Sequence, residues 1–190
     1  MKTALITTTI NVPTVLQLYR KLDPDVRFFV AADKNTPPEA WEMELSNSVF
    51  INATDYRCDK LIGWRTIGRR NIALLEALEW GADAVVSIDD DNIPLDAGYF
   101  WQFRKHLFGE SVFDGIMVDE TEWFDVGTLL DPVAPHRGFP HDRKQAPSFT
   151  SVTDARIGVA AGTCLGDPDI SAATRMVSGP VSHRVSELLR

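Results

Sequence analysis

Apolar residues along this chain fall into short blocks that alternate between two periods. Residues 4–10, ALITTTI, make a near-continuous apolar run ending in polar β-branched residues, as a buried strand does. Pro13 follows, and Val15, Leu16, Leu18 and Leu22 then form a stripe at helical spacing. A second strand is expected over 26–33, VRFFVAAD, a short helix in PPEAWEMEL, and a third strand in VFINATD. The best helical pattern is RRNIALLEALEWGAD, where Ile72, Leu75 and Leu78 are expected to share the buried face and Gly81 to end the helix. Ala84 to Ile88 read as a further strand, AGYFWQFRKHLF as a helix and DGIMV as a strand. Trp80 and Trp101 fall in helical patterns and are expected in the core. From Asp119 to about Val152 the chain is rich in Pro, His, Gly and aromatics and reads as one long loop. Loops beyond about 12–15 residues are usually functional or disordered. RIGVAAGTCL and GDPDISAATRMV close the chain.

Strands alternating with helices predict an α/β fold: a mainly parallel sheet flanked by helices on both faces. At 190 residues, 44% hydrophobic and 24% charged, the chain suits a single globular domain with one sizeable core. The net charge of −8 excludes a nucleic-acid binder that works through a general basic field, but not a local cationic pocket. Cys58 and Cys164 are too few and too far apart for a disulfide framework or a zinc motif. The N-terminal apolar run is too short and threonine-rich for a signal peptide, and none is long enough to span a bilayer. A cytoplasmic protein is therefore expected.

The strand over 84–88 runs directly into Asp89, Asp90 and Asp91, with no basic residue beside them. In an open parallel sheet, ligands bind outside the carboxyl ends of the strands. Three carboxylates there repel one another in reduced solvent, so a compensating cation is expected. Mg²⁺ or Mn²⁺ fits, since these ions take one or two carboxylates and complete their shell with water and phosphate oxygens. The plainer alternative is that Asp91 and Asn92 cap a turn before Pro94. Upstream, Arg65, Arg69 and Arg70 lie at or before a helix start, where cations oppose the helix dipole. A bound phosphate would reverse that sign. The two clusters together point to a diphosphate held between arginines and a metal; the alternative is a solvated helix end.

GRRNIALLEALEWGADAVVSIDDDN resembles the nucleotide-sugar half of GT-A glycosyltransferases, in which a basic-Asn helix start precedes a strand ending in a DxD motif. More narrowly, it is similar to the reversibly glycosylated polypeptide / UDP-arabinopyranose mutase family and its STELLO-like relatives, through TTTINVPT, RGFP at 137–140 and LGDPDISAATR at 165–175 as well. The resemblance implies a Rossmann-like GT-A (nucleotide-diphospho-sugar transferase) fold over residues 1–190, a single domain in which a C-terminal truncation is left open. It implies that Thr7, Thr8 and Thr9 lie by the nucleotide base and ribose, with Asp33 near them. Arg69, Arg70 and Asn71 match the helix start near the diphosphate, beside Arg65. Asp89 and Asp90 count among the nucleotide-sugar contacts, and Asp89 and Asp91 are the expected metal ligands. Asp167 and Asp169 match a later acidic block near the sugar or acceptor, where one could orient or deprotonate an acceptor hydroxyl.

The chain departs from the family at Cys164, where an aromatic is frequent. It also lacks a convincing late metal ligand, His183 being the one late histidine. Trp123 could stack on a sugar or base or anchor its loop. His136 and His141, which flank RGFP, read as surface residues. The expected activity is metal-dependent transfer from a nucleoside-diphosphate sugar, UDP-linked, to an acceptor that is a glycan, a protein or a small molecule. The alternatives are a nucleotide-sugar mutase and a non-catalytic nucleotide-sugar-binding domain. A homo-oligomer is compatible with either.

Overall fold

The computed structural model describes residues 1–52, 56–108, 113–118, 123–140, 142, 149–160, 170, 172–178 and 184–185. The chain divides into two compact units, Met1–Lys105 and His106–Arg190.

In the first unit β1 (Thr3–Thr9), β2 (Arg27–Ala32), β3 (Ser48–Ile51) and β4 (Ala84–Ser87) form one sheet in the order β3-β2-β1-β4, and every neighbouring pair is parallel. Between them lie α1 (Leu16–Leu22), α2 (Pro38–Glu42), α3 (Asp59–Ile62) and α4 (Arg70–Glu79). A further helix, α5 (Tyr99–Phe108), begins in this unit. The result is a mixed α/β architecture whose parallel sheet is flanked by helices, compatible with a Rossmann-like fold.

Strand alternation sorts the core into two layers. Leu5, Phe28, Val30, Val86 and Ile88 pack with Val15, Leu16 and Tyr19 of the α1 region and with Phe100 of α5. Ala4, Ile6, Phe29, Ala31 and Ile51 pack with Ile72, Ala73 and Ala77 of α4. Each fully buried large side chain contributes roughly 1.5–3 kcal/mol. The two faces follow from crossover handedness. The α1 crossover runs from β1 to β2, and the α4 crossover returns past β1 to β4 on the other side. Crossovers of one hand that travel in opposite directions must cover opposite faces.

Two expectations about packing need correction. Leu75 and Leu78 are 44% and 55% exposed, so they do not share the buried face with Ile72. α4 is seated instead by Ile72, Ala73 and Ala77, which continue from Arg69 at helical spacing and let the helix lie close to the sheet. Trp101 is 62% exposed, not core; its neighbour Phe100 is buried and meets Tyr19 edge-on at 6.0 Å. Trp80 is half-buried against Phe29. Gly81 ends α4 at φ 80°, the left-handed conformation that favours glycine there.

In the second unit β5 (Phe113–Val118) pairs antiparallel with β7 (Phe149–Ala155), and β6 (Leu130–Asp131) pairs antiparallel with β8 (Arg184–Val185). α6 spans Ala172–Ser178. The stretch expected to be loop up to about Val152 therefore holds a short strand and the start of β7. It also holds a 3-10 turn, Val126–Leu129, where Asp125 accepts from the N–H of Gly127 at 2.9 Å. A Cβ on Gly127 would stand 1.8 Å from the Ala134 carbonyl oxygen, so only glycine fits this turn. Among the described residues no helix is long and apolar enough to cross a membrane.

Candidate functional site

β1 pairs with β2 on one side and with β4 on the other, so the crossover into β2 and the crossover into β4 travel in opposite directions across the sheet. Where strand order reverses in this way, a crevice opens at the carboxyl ends. The ends of β1, β2 and β4 are tied together there. The Thr36 hydroxyl donates to the Thr9 carbonyl at 2.6 Å and accepts from the Asp33 N–H at 2.7 Å, bolting the end of β1 to that of β2. The Thr8 hydroxyl donates to the Ala31 carbonyl at 2.8 Å. Thr7 is fully buried and Thr9 nearly so, which leaves Thr8 as the partly exposed member of the three.

Alternation along β4 then separates the three aspartates. Val85 belongs to the layer on the α4 side, so Ser87 and Asp89 follow it toward the start of α4. Arg70, the first residue of α4, meets both: Nη1 donates to Ser87 Oγ at 3.1 Å, and Nη2 donates to Asp89 Oδ1. Val86 and Ile88 belong to the opposite layer, and Asp90 follows them. Ile6 stands opposite Ser87, and continuing that register brings Thr9 across from Asp90, whose carboxylate accepts from the Thr9 hydroxyl. Asp91 lies beyond the strand in the turn, exposed and without a hydrogen bond or ion pair among the described residues. The turn is held by Asn92, whose side chain accepts from the Asp89 N–H at 3.2 Å and whose N–H donates to the Asp89 carbonyl at 3.3 Å. Capping thus falls to Asn92 and leaves the Asp91 carboxylate uncommitted.

The other arginines stand differently. Arg69 is 1% exposed. Its Nε donates to the Ala32 carbonyl at 2.9 Å, Nη1 to the Gly63 carbonyl at 3.1 Å and Nη2 to Asp59 Oδ1 at 2.9 Å. Asp33 Oδ2 lies 4.0 Å from Nε, and the Trp64 ring centroid is 4.2 Å from the guanidinium carbon. Lys34 Nζ lies 4.4 Å from the same ring centroid. Asp33 is nearly buried, and its two oxygens accept from the main-chain N–H groups of Arg65 and Asn35 at 2.7 and 3.3 Å. Arg65 is exposed at φ 54°, a left-handed conformation costing roughly 1–2 kcal/mol, and its bond to Asp33 helps to hold it. Asn71 is exposed. Of the residues expected at the nucleotide-sugar and metal site, Arg70 is linked to Asp89 and Thr9 to Asp90 at the crevice. Arg69 and Asp33 instead form a buried hub beneath the 63–66 loop.

Asp167, Asp169, Cys164, His141 and His183 lie outside the described residues. RGFP forms a turn in the second unit, with Phe139 N–H donating to the His136 carbonyl at 3.2 Å. His136 is half-buried, and its N–H donates to Asp125 at 3.1 Å. Trp123 meets Phe139 edge-on at 6.5 Å. Sequence reasoning did not single out Thr36, Asp59, Trp64 or Ser87. Ser87 was within reach, since it is polar, ends an apolar strand and shares alternation with Asp89. Asp59 and Thr36 each have a partner three residues away, Tyr56 and Asp33, but the partners that tie them into the site, Arg69 and Thr9, are 10 and 27 residues away and leave no local signal.

Among the described residues no group of three or more His, Cys, Asp and Glu side chains is gathered as a self-sufficient metal cage. The oxygen donors at the end of β4 instead suit a hard cation that keeps water or phosphate in its shell. The Nε of Arg70 is enclosed and has no hydrogen-bond partner, an orphaned donor beside those carboxylates. Comparison with protein-family models and with curated protein sequences gives no match to this chain.

Proposed function

We propose that the chain is a metal-dependent glycosyltransferase that takes its sugar from a nucleoside-diphosphate donor, UDP-linked, bound at the crevice between β1 and β4. One observation carries this reading. At the switch point of a parallel sheet, Asp89 pairs with a cation, Arg70, that retains an orphaned donor, and two residues further along the chain the Asp91 carboxylate is uncommitted. An anion with several oxygens and a divalent cation together complement that arrangement, and a nucleoside diphosphate with its metal is such a pair. The residues fit the group: Asp89 and Asp91 would hold Mn²⁺ or Mg²⁺. When bound, the metal supplies neutralisation of the charge that develops on the leaving diphosphate.

The chain's own residues divide the remaining tasks. Arg70 offers donors to the diphosphate at the positive end of α4, where the charge of the leaving group grows. The Thr9–Asp90 link fixes the floor of the crevice between the two strands. Asp167 or Asp169 is the proposed partner of the acceptor hydroxyl, following the resemblance of their segment.

Calorimetric titration of UDP with and without Mn²⁺ tests the donor site, alongside Asp91→Ala. Binding is expected to require the metal and to weaken at least tenfold in the variant. Losing the residues that merely orient a metal's ligands already costs roughly 10–100-fold. Absence of UDP binding with and without metal would remove the glycosyltransferase reading.

A further inference from the structure

Arg70 is four-fifths buried at the first position of a ten-residue helix, and the first turn of that helix holds no acidic residue. Its positive charge adds to the positive end of the helix dipole, so the position calls for an anion. Asp89 supplies it from the end of β4. The match is incomplete, however. The Nε–H and one Nη of a guanidinium form a parallel fork that fits two oxygens of one anion. Asp89 meets only Nη2, Ser87 meets Nη1, and Nε is enclosed without a partner. A phosphate group presents enough oxygens to serve Nε and Nη2 together. Asp89 itself is 53% exposed, within reach of a cation from solvent, and Asp91, two residues on in the turn, is uncommitted.

We propose that Asp89 is the internal counter-ion of Arg70 in the ligand-free protein, a placeholder that diphosphate and metal displace together. This rests on the donor-site reading above and adds a device to it. Diphosphate alone must compete with Asp89 for Arg70, and a cation alone must compete with Arg70 for Asp89. When both bind, each removes the other's competitor. Metal and diphosphate therefore strengthen one another's binding through the protein, by the same factor in both directions, in addition to their direct attraction.

The pair makes an unusual demand: deleting a proposed metal ligand should improve binding of the anion when no metal is present. Inorganic diphosphate and UDP are titrated calorimetrically into the full chain in excess EDTA, for wild type, Asp89→Ala and Asp91→Ala. Both variants remove one exposed carboxylate, but only the first releases Arg70. Asp89→Ala is expected to bind diphosphate about three- to fivefold more tightly than wild type, the size of a partly exposed ion pair, and Asp91→Ala less than about twofold more tightly. In the mirror experiment, Mn²⁺ alone is titrated into Arg70→Met and followed by the paramagnetic resonance of free Mn²⁺. Its affinity should rise by a similar factor.

Equal gains in the two alanine variants would reduce the effect to net charge and overturn the counter-ion, as would no gain in Asp89→Ala or no gain in Mn²⁺ affinity in Arg70→Met. If wild type still bound UDP with Mn²⁺ in those cases, the donor site would stand without the device. No binding of diphosphate or UDP to any of the proteins, with or without metal, would overturn both. Circular dichroism and urea unfolding of each variant separate these outcomes from loss of the fold.

Discussion

Arg69 and Arg70 are adjacent in sequence and occupy opposite environments. Arg69 turns under the 63–66 loop and binds Asp59 and two main-chain carbonyls, while Arg70 turns toward β4 and its aspartates. Arg69→Met should therefore act on stability. It would leave Asp59 and Asp33, both nearly buried, without their cation, and breaking a buried pair typically costs about 3–5 kcal/mol. Urea unfolding measures this directly; a loss below about 1 kcal/mol would mean the hub relaxes without its arginine. Arg70→Met, by contrast, removes a side chain from the rim of the crevice and should leave the unfolding midpoint within about 1 kcal/mol of wild type. The sequence marks both residues as one basic cluster because composition carries no direction. Direction was nonetheless present in the helix: 69, 72, 73, 76 and 77 share a face at helical spacing, and Ile72, Ala73 and Ala77 on it are buried. Reading that face from its alanines rather than from the leucines would have turned Arg69 inward. Asp33 follows the same logic. It is an acidic residue at the end of β2, as its segment suggested, but its oxygens serve the main chain of the next loop.

At the scale of elements, the strands were legible because a parallel sheet buried on both faces leaves near-continuous apolar runs, as 4–6 and 28–32 do. Helix positions were legible from Pro13, Pro37-Pro38 and Gly81, which punctuate the chain for steric reasons. Helix orientation was harder to read. In α4 Leu75 and Leu78 carry more apolar area than the alanines, yet close approach to the sheet selects small side chains for the central contact and leaves these two leucines outside. The consequence is an inverted mutational pattern. Ala77→Leu forces a larger side chain between helix and sheet and should destabilise by about 1–3 kcal/mol. Leu78→Gln, the more drastic change in hydropathy, should fall within about 0.5 kcal/mol of wild type. Thermal unfolding of the two variants decides this; a costlier Leu78→Gln would show that its side chain is covered. In the second unit the elements were least legible. Strands two residues long, such as β6 and β8, carry no periodicity, and the turn at Gly127 depends on the carbonyl of Ala134, seven residues on.

For the whole molecule the question is which part of the chain would assemble the proposed donor site. Thr9, Arg70, Ser87 and Asp89 to Asp91 all belong to the first unit, and so do the Arg69 hub and the two layers that cover the sheet. One layer closes over α1 and Phe100, the other over α4, so each face of the four-stranded sheet has its own helical cover. A unit of this size with a core on both sheet faces falls within the range of independently folding domains. A fragment of residues 1–108, which keeps α5 whole, should therefore unfold cooperatively in urea, with a slope of about 1–2 kcal/mol per molar. It should also bind UDP in the presence of Mn²⁺ with an affinity within about threefold of the full chain, since every residue assigned to the diphosphate and metal is retained. Sugar transfer should be lost, because Asp167 and Asp169 are absent from the fragment. Calorimetry and a product assay on the same sample separate the two functions. Cooperative unfolding with UDP binding lost would place a necessary nucleotide contact in residues 109–190, and a gradual, non-cooperative transition would show that the first unit needs the rest of the chain to fold. Retained binding with transfer abolished would assign the proposed donor site to residues 1–108 and a function needed for transfer to residues 109–190.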